Sequence, residues 1–215
     1  MAISHQHRLS SRLRLPRRFA PAPRVTVDES AQDTATDSPA VAAVRTSDIA
    51  VAGLRVLLGF VFLWAFLDKT FGLGYATASG KGWVDGGSPT KGFLSHVNVG
   101  PMAGTLRGWA GEPWADRLFM LGLLGVGAAL VLGIGLRLAA LSGTAMMTLM
   151  WIAEWPPAKH LDSGKPTAST NPFADYHVIY AISLIALAAI AVGSRLGLGA
   201  LWARLPIVRD HRWLL

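Results

Sequence analysis

Four apolar runs constrain this chain more than any other feature. Residues 49–67 form 19 positions with one charge, Arg55, and residues 118–136 form 19 with none. Residues 138–155 form 18 with one charge, Glu154, and residues 176–193 form 18 with no formal charge and one histidine, His177. A helix rises about 1.5 Å per residue, so each run crosses, or nearly crosses, the roughly 30 Å hydrocarbon layer of a bilayer. Burying four such helices in water needs a polar shell. A chain of 215 residues that is 52% hydrophobic and 15% charged has too few polar residues to build one. The expected fold class is all-α: an integral membrane four-helix bundle over 49–195, with spans at about 49–68, 117–136, 138–155 and 176–194.

The remaining segments set orientation. Residues 1–48 are polar, aperiodic and rich in Ala, Pro, Ser, Thr, Asp and Arg, which predicts a disordered basic cytoplasmic tail. An arginine pair at Arg17–Arg18 has the start of an export signal but is followed by Pro21 and Pro23, with no apolar core until residue 49. Seven arginines lie in this tail, one at Arg137 between the second and third spans, and four from residue 195 onward. The other side carries seven basic residues over much longer loops, interleaved with acids. Positive charge concentrates on the cytoplasmic side of membrane proteins, so both termini are expected there, with 196–215 an amphipathic cytoplasmic tail. The net charge of +7 then reports topology and contact with anionic lipid, and calls for no nucleic-acid partner.

Other chemistry is excluded outright. The chain has no cysteine, so disulfides, cysteine-ligated iron–sulfur clusters, covalently attached haem and thiol relays cannot operate within it. His177 is the only histidine in the spans, which leaves no bis-histidine haem pair. No flavin motif is legible, and "GLGYAT" and "SGKPT" lack the residues that nucleotide-phosphate loops require. His160, Asp162, Asp175 and His177 match no standard metal-ligand spacing, so no metal site is expected.

The connection at 70–116 holds 11 of the 23 glycines together with six large aromatics, more than a linker needs. It predicts a structured extracytoplasmic loop with short interfacial helices, one capped at Ser88–Pro89 and one within "PMAGTLRGWA". In the second span, Gly125, Ala129 and Gly133 recur every four residues, a stripe that lets a neighbouring helix come close.

Polar residues gather at the outer span ends. Asp68 and Lys69 close the first span, Glu154 with Trp151 and Trp155 closes the third, and Asp175, Tyr176, His177 and Tyr180 open the fourth. Gly143, Met147, Met150 and Glu154 share one helical face; His177, Tyr180 and Ala181 share another. Facing each other, they would line an apolar slot with a polar lip, which suits a quinone ring. His177, Glu154 and Tyr180 are the candidate proton-transfer residues, and Trp64, Met150, Trp151 and Tyr180 the candidate ring-binding residues. Lys69 and Asp175 are candidate substrate contacts, while Arg55 is a structural membrane charge for a carbonyl, a lipid phosphate or the C-terminal segment. The competing explanation is anchoring alone, since Trp, Tyr and charged residues collect at membrane boundaries.

"LRVLLGFVFLWAFLDKTFG" resembles the first span of the DoxX/DoxD family of four-span membrane proteins, with Arg55, Gly59, Phe62 and Lys69 at the matching positions. "GGSPTKGFL" (86–94) and "NPFADYHVIYAISLI" (171–185) are similar to the branch named for the membrane subunit of thiosulfate:quinone oxidoreductase. The likeness covers roughly 49–200 and excludes the basic tail. It implies a multi-pass protein of a prokaryotic cell membrane that oxidises thiosulfate to tetrathionate and passes electrons to quinone, with a partner subunit. It brings no catalytic residues with it. A non-catalytic anchor that docks or stabilises a redox complex is the alternative, and small-solute transport a third.

Overall fold

The computed structural model describes residues 45–190 and 196–215. The expected tail up to residue 44, its arginine pair and the last residues of the expected fourth span lie outside the described residues. The chain is helical: α1 (Thr46–Phe71), α2 (Lys91–Leu94), α3 (Ala103–Gly108), α4 (Pro113–Leu132), α5 (Leu136–Glu154), α6 (Tyr176–Ile190), α7 (Gly199–Trp202) and α8 (Pro206–Asp210). Short 3₁₀ turns lie at Trp83–Asp85 and Arg212–Leu214. Among the described residues there is no strand, and one isolated bridge joins His160 to Pro166. Helices α1, α4 and α5 are long and apolar enough to cross a membrane, which makes this a membrane protein by helix length and composition. The 15 described residues of α6 are apolar too, but reach about 22 Å at 1.5 Å per residue.

Local chemistry sets the helix ends. Helix α4 begins at Pro113, where a missing N–H costs nothing, and stops at Gly133, whose φ of 73° is open to glycine and closed to most residues. This corrects the expected 117–136 span: the apolar run continues past Gly133, but the backbone turns there. Helix α5 ends at Trp155, a non-glycine residue held at φ 44° and followed by Pro156 and Pro157.

Helix α1 packs chiefly on α4, α4 on α5, and α5 on α6, with a lighter α1–α6 contact closing the set. Phe62, Met120, Leu130, Leu184 and Leu187 fill the centre, each no more than 2% exposed. Helices α1 and α4 come close at Gly59 and Gly127. A Cβ on Gly127 would lie 2.7 Å from Leu63 Cγ, and one on Gly59 2.9 Å from Leu130 Cβ. The expected Gly125 stripe is therefore corrected. Gly125 faces open space, because the buried side of α4 runs through Leu123, Val126, Gly127 and Leu130. The outer surface is apolar, with Leu57, Leu121, Leu141 and Ile182 all more than 60% exposed. Water would penalise such a surface and lipid does not.

The 70–116 connection is structured. Oδ1 of the buried Asp116 accepts bonds from Ser88 Oγ, Thr90 N–H and Thr90 Oγ1, at 2.9, 2.9 and 2.6 Å. Gly111 N–H donates in turn to Thr90 Oγ1. A second small core of Val97, Leu106 and Ala153 seats the loop on the end of α5. Ser88 accepts from Lys91 N–H as a cap would, yet α2 starts only at Lys91. Asp68, expected to close the outer end of the first span, is 1% exposed and accepts from Tyr75 N–H, because the loop folds back over it.

Candidate functional site

The segment 171–178 builds the site one bond at a time. Asn171 Oδ1 accepts from the N–H groups of Phe173 and Ala174, both at 2.9 Å, and turns the chain. The Phe173 carbonyl then accepts from Trp151 Nε1 at 2.9 Å, tying the turn to α5. Asp175 caps α6: its Oδ1 accepts from the N–H groups of His177 and Val178 at 3.0 and 3.2 Å. Its other oxygen, Oδ2, lies 2.8 Å from His177 Nδ1. Next to this pair, Tyr176 donates to Glu154 Oε1 at 2.7 Å. The Tyr176 and His177 rings lie 4.0 Å apart, centroid to centroid.

Below this rim is a pocket of about 230 Å³ between α5 and α6. From α5 it is lined by Thr144, Met147, Thr148 and Trp151; from α6 by His177, Val178, Ala181, Ile182 and Ile185, with Phe173 at the loop end. Ile182 and Ile185 are well exposed, so the pocket opens sideways through the apolar outer surface. Two of these lining residues each carry a buried polar atom without a hydrogen-bond partner, Nε2 of His177 and Oγ1 of Thr144. Thr148, one turn further on, satisfies its hydroxyl on the Thr144 carbonyl, as helical threonines commonly do. Thr144 does not. Leaving a buried polar group unmatched costs about 1–3 kcal/mol, and two residues of one apolar wall carry such a group.

The expected site residues divide into three groups. His177, Met147, Trp151 and Ala181 line the pocket, and Asp175 holds His177. Met150 and Tyr180 are half-buried against the central core, and Glu154 is exposed at the rim. Trp64 stands on α1 with its ring edge-on to Tyr75 at 5.1 Å, and Lys69 Nζ lies 5.9 Å from the Phe119 ring centroid. Neither Trp64 nor Lys69 lines the pocket. The face of α5 that does so is 144–147–148–151, one position round from the expected one. Its i, i+3, i+4, i+7 spacing was readable, but two threonines and a tryptophan look like an ordinary lipid-facing stripe.

Glu154, Asp175 and His177 each offer a ligand atom, all within 4.8 Å of one another, and His160 and Asp162 do not join them. Within this cluster Asp175 Oδ2 lies against His177 Nδ1 and Glu154 Oε1 accepts from Tyr176. At the opposite end of the bundle, the buried Arg55 donates to the Leu196 carbonyl at 2.8 Å. Gly133 and Gly197 pack on its guanidinium, where a Cβ would come within 2.6 and 2.8 Å. Of its expected partners, the structure pairs it with a carbonyl in the C-terminal segment.

Comparison with protein-family models, with curated proteins and with solved structures finds no match to this chain. Its function is therefore argued from the site.

Proposed function

We propose that this chain is a DoxX/DoxD-like integral membrane subunit of a quinone-linked oxidoreductase acting on thiosulfate or a related small reductant. In this reading α6 is the fourth span, both termini are cytoplasmic and the loop at 70–116 faces outward. The observation that carries it is the apolar α5–α6 pocket, open toward lipid and lined by His177, whose Nε2 is buried without a partner. A ring arriving from the bilayer would meet Met147, Val178 and Ala181 on its faces and His177 and Thr144 at its polar atoms. Bound there, quinone supplies the electron acceptor: joining two thiosulfates through a new S–S bond releases two electrons, which with two protons convert it to quinol. With no cysteine in the chain, the sulfur atoms react at the bound acceptor or on a partner subunit. The exposed Lys81, Lys91, Lys159 and Lys165 would draw the sulfur anions to that face.

The test is thiosulfate-dependent quinone reduction by protein purified with any companion subunit, beside a lipid extract assayed for quinone. Turnover that falls at least tenfold in His177→Ala supports the proposal. No turnover together with no extractable quinone overturns it. A docking or stabilising subunit is the second reading, favoured by Tyr75 and Val84, which stand 76% and 65% exposed on the structured loop. It predicts a stoichiometric partner recovered in mild detergent and lost in Tyr75→Asp.

A further inference from the structure

The Asp175–His177 pair specifies more than a place for a ring. Oδ1 of Asp175 is committed to two N–H groups in the first turn of α6, so the carboxylate cannot rotate freely. Oδ2 is thereby held against His177 Nδ1 at 2.8 Å. A carboxylate only accepts, so the imidazole proton sits on Nδ1. In the neutral ring Nε2 is then a bare lone pair, and it is this atom that is buried without a partner. Of the other lining side chains, Met147, Val178 and Ala181 carry no donor, Thr148 and Trp151 donate to the Thr144 and Phe173 carbonyls, and Thr144 Oγ1 does not reach it.

We propose that the pocket selects a ring bearing a hydroxyl, a phenol or hydroquinone, over the matching quinone or ether, with His177 Nε2 accepting that hydroxyl's proton in a hydrogen bond. Asp175 is the positioning residue. This rests on reading the pocket as a ring site. A quinone carbonyl or ether oxygen would set lone pair against lone pair at Nε2, whereas a hydroxyl donates to it. Thr144 Oγ1 both donates and accepts, so it holds either form and does not discriminate. For a quinone couple the consequence is directional. Each tenfold preference for the reduced form raises the potential of the bound two-electron couple by about 30 mV. The pocket would then make quinone a stronger oxidant where it sits.

The experiment measures binding of naphthol and of its methyl ether, neither of which is reduced or oxidised here, to the full chain in lipid nanodiscs. It is run at about pH 8, where an ordinary imidazole is neutral, with empty nanodiscs subtracted. Wild-type protein is expected to bind naphthol roughly tenfold or more tightly than the ether, the penalty of one unmatched buried group. In Asp175→Asn the amide oxygen keeps the helix cap and the NH₂ faces Nδ1, which moves the ring proton to Nε2. The preference should then vanish or reverse, a change that loosened packing would not produce. Equal wild-type binding of both probes overturns the acceptor assignment while leaving the ring site standing. An unchanged preference in Asp175→Asn overturns the role of Asp175. If neither probe binds above empty nanodiscs, or if Ala181→Trp, which fills the pocket, leaves binding unaltered, the ring site falls and this proposal with it.

Discussion

At the scale of single residues, a buried polar side chain stands at each end of the bundle. Arg55 fastens the C-terminal segment through the Leu196 carbonyl, with Gly133 and Gly197 packed on its guanidinium and its Nε left without a partner. Removing a hydrogen bond from a charged group costs about 1.5–3 kcal/mol. Arg55→Met should therefore loosen the C-terminal segment, and exchange of the Leu198 and Trp202 amides should accelerate tenfold or more by mass spectrometry. Gly133→Ala should destabilise by about 1 kcal/mol or more, since its φ is positive and its Cβ would strike Arg55. At the other end His177 has one nitrogen held by Asp175 and the other left unmet. Sequence reading identified His177, Asp175 and Trp151 by type and depth. It missed Phe173 and Thr144, because a loop position and one orphaned hydroxyl become visible only once α5 and α6 are set side by side.

At the scale of elements, interhelix distance is governed by glycines that the four-residue pattern did not single out. Gly59 and Gly127 let α1 and α4 meet backbone to backbone. Overpacking a filled core costs about 1–3 kcal/mol. Gly127→Val should lower the unfolding midpoint in detergent, whereas Gly125→Val, facing open space, should change it little. The loop has its own keystone. Asp116→Ala removes the acceptor for three donors, two of them on Thr90, and should expose the connection at 86–112 to limited proteolysis while leaving the helical signal in circular dichroism intact. The apolar runs made α1, α4, α5 and α6 legible, and proline and glycine marked several of their ends. The loop's fold was not legible, since it hangs on a carboxylate more than twenty residues distant in sequence from all three of its donors.

At the scale of the whole molecule, antiparallel packing sorts the chain into two ends. The turn at Gly133–Gly135 and the segment from Leu196 lie together, joined by Leu198 N–H to the Leu132 carbonyl. The loop after α1 and the turn holding Phe173 belong to the other end, with the pocket beneath it. Because the chain contains no native cysteine, single-cysteine variants report position cleanly. Val84→Cys should react with an impermeant maleimide added outside intact cells, and Ile207→Cys only after permeabilisation; the opposite result would invert the proposed orientation. Composition and the length of the apolar runs by themselves determined that the chain is helical and built for a bilayer. Those properties depend only on how much greasy surface each segment carries and how far a helix reaches. Tertiary structure alone decided which helical faces meet, that Asp68 is covered, and that His177, with one nitrogen buried and unpartnered, lines an apolar pocket. Each of these depends on distances between segments remote in sequence, and a one-dimensional pattern does not encode them.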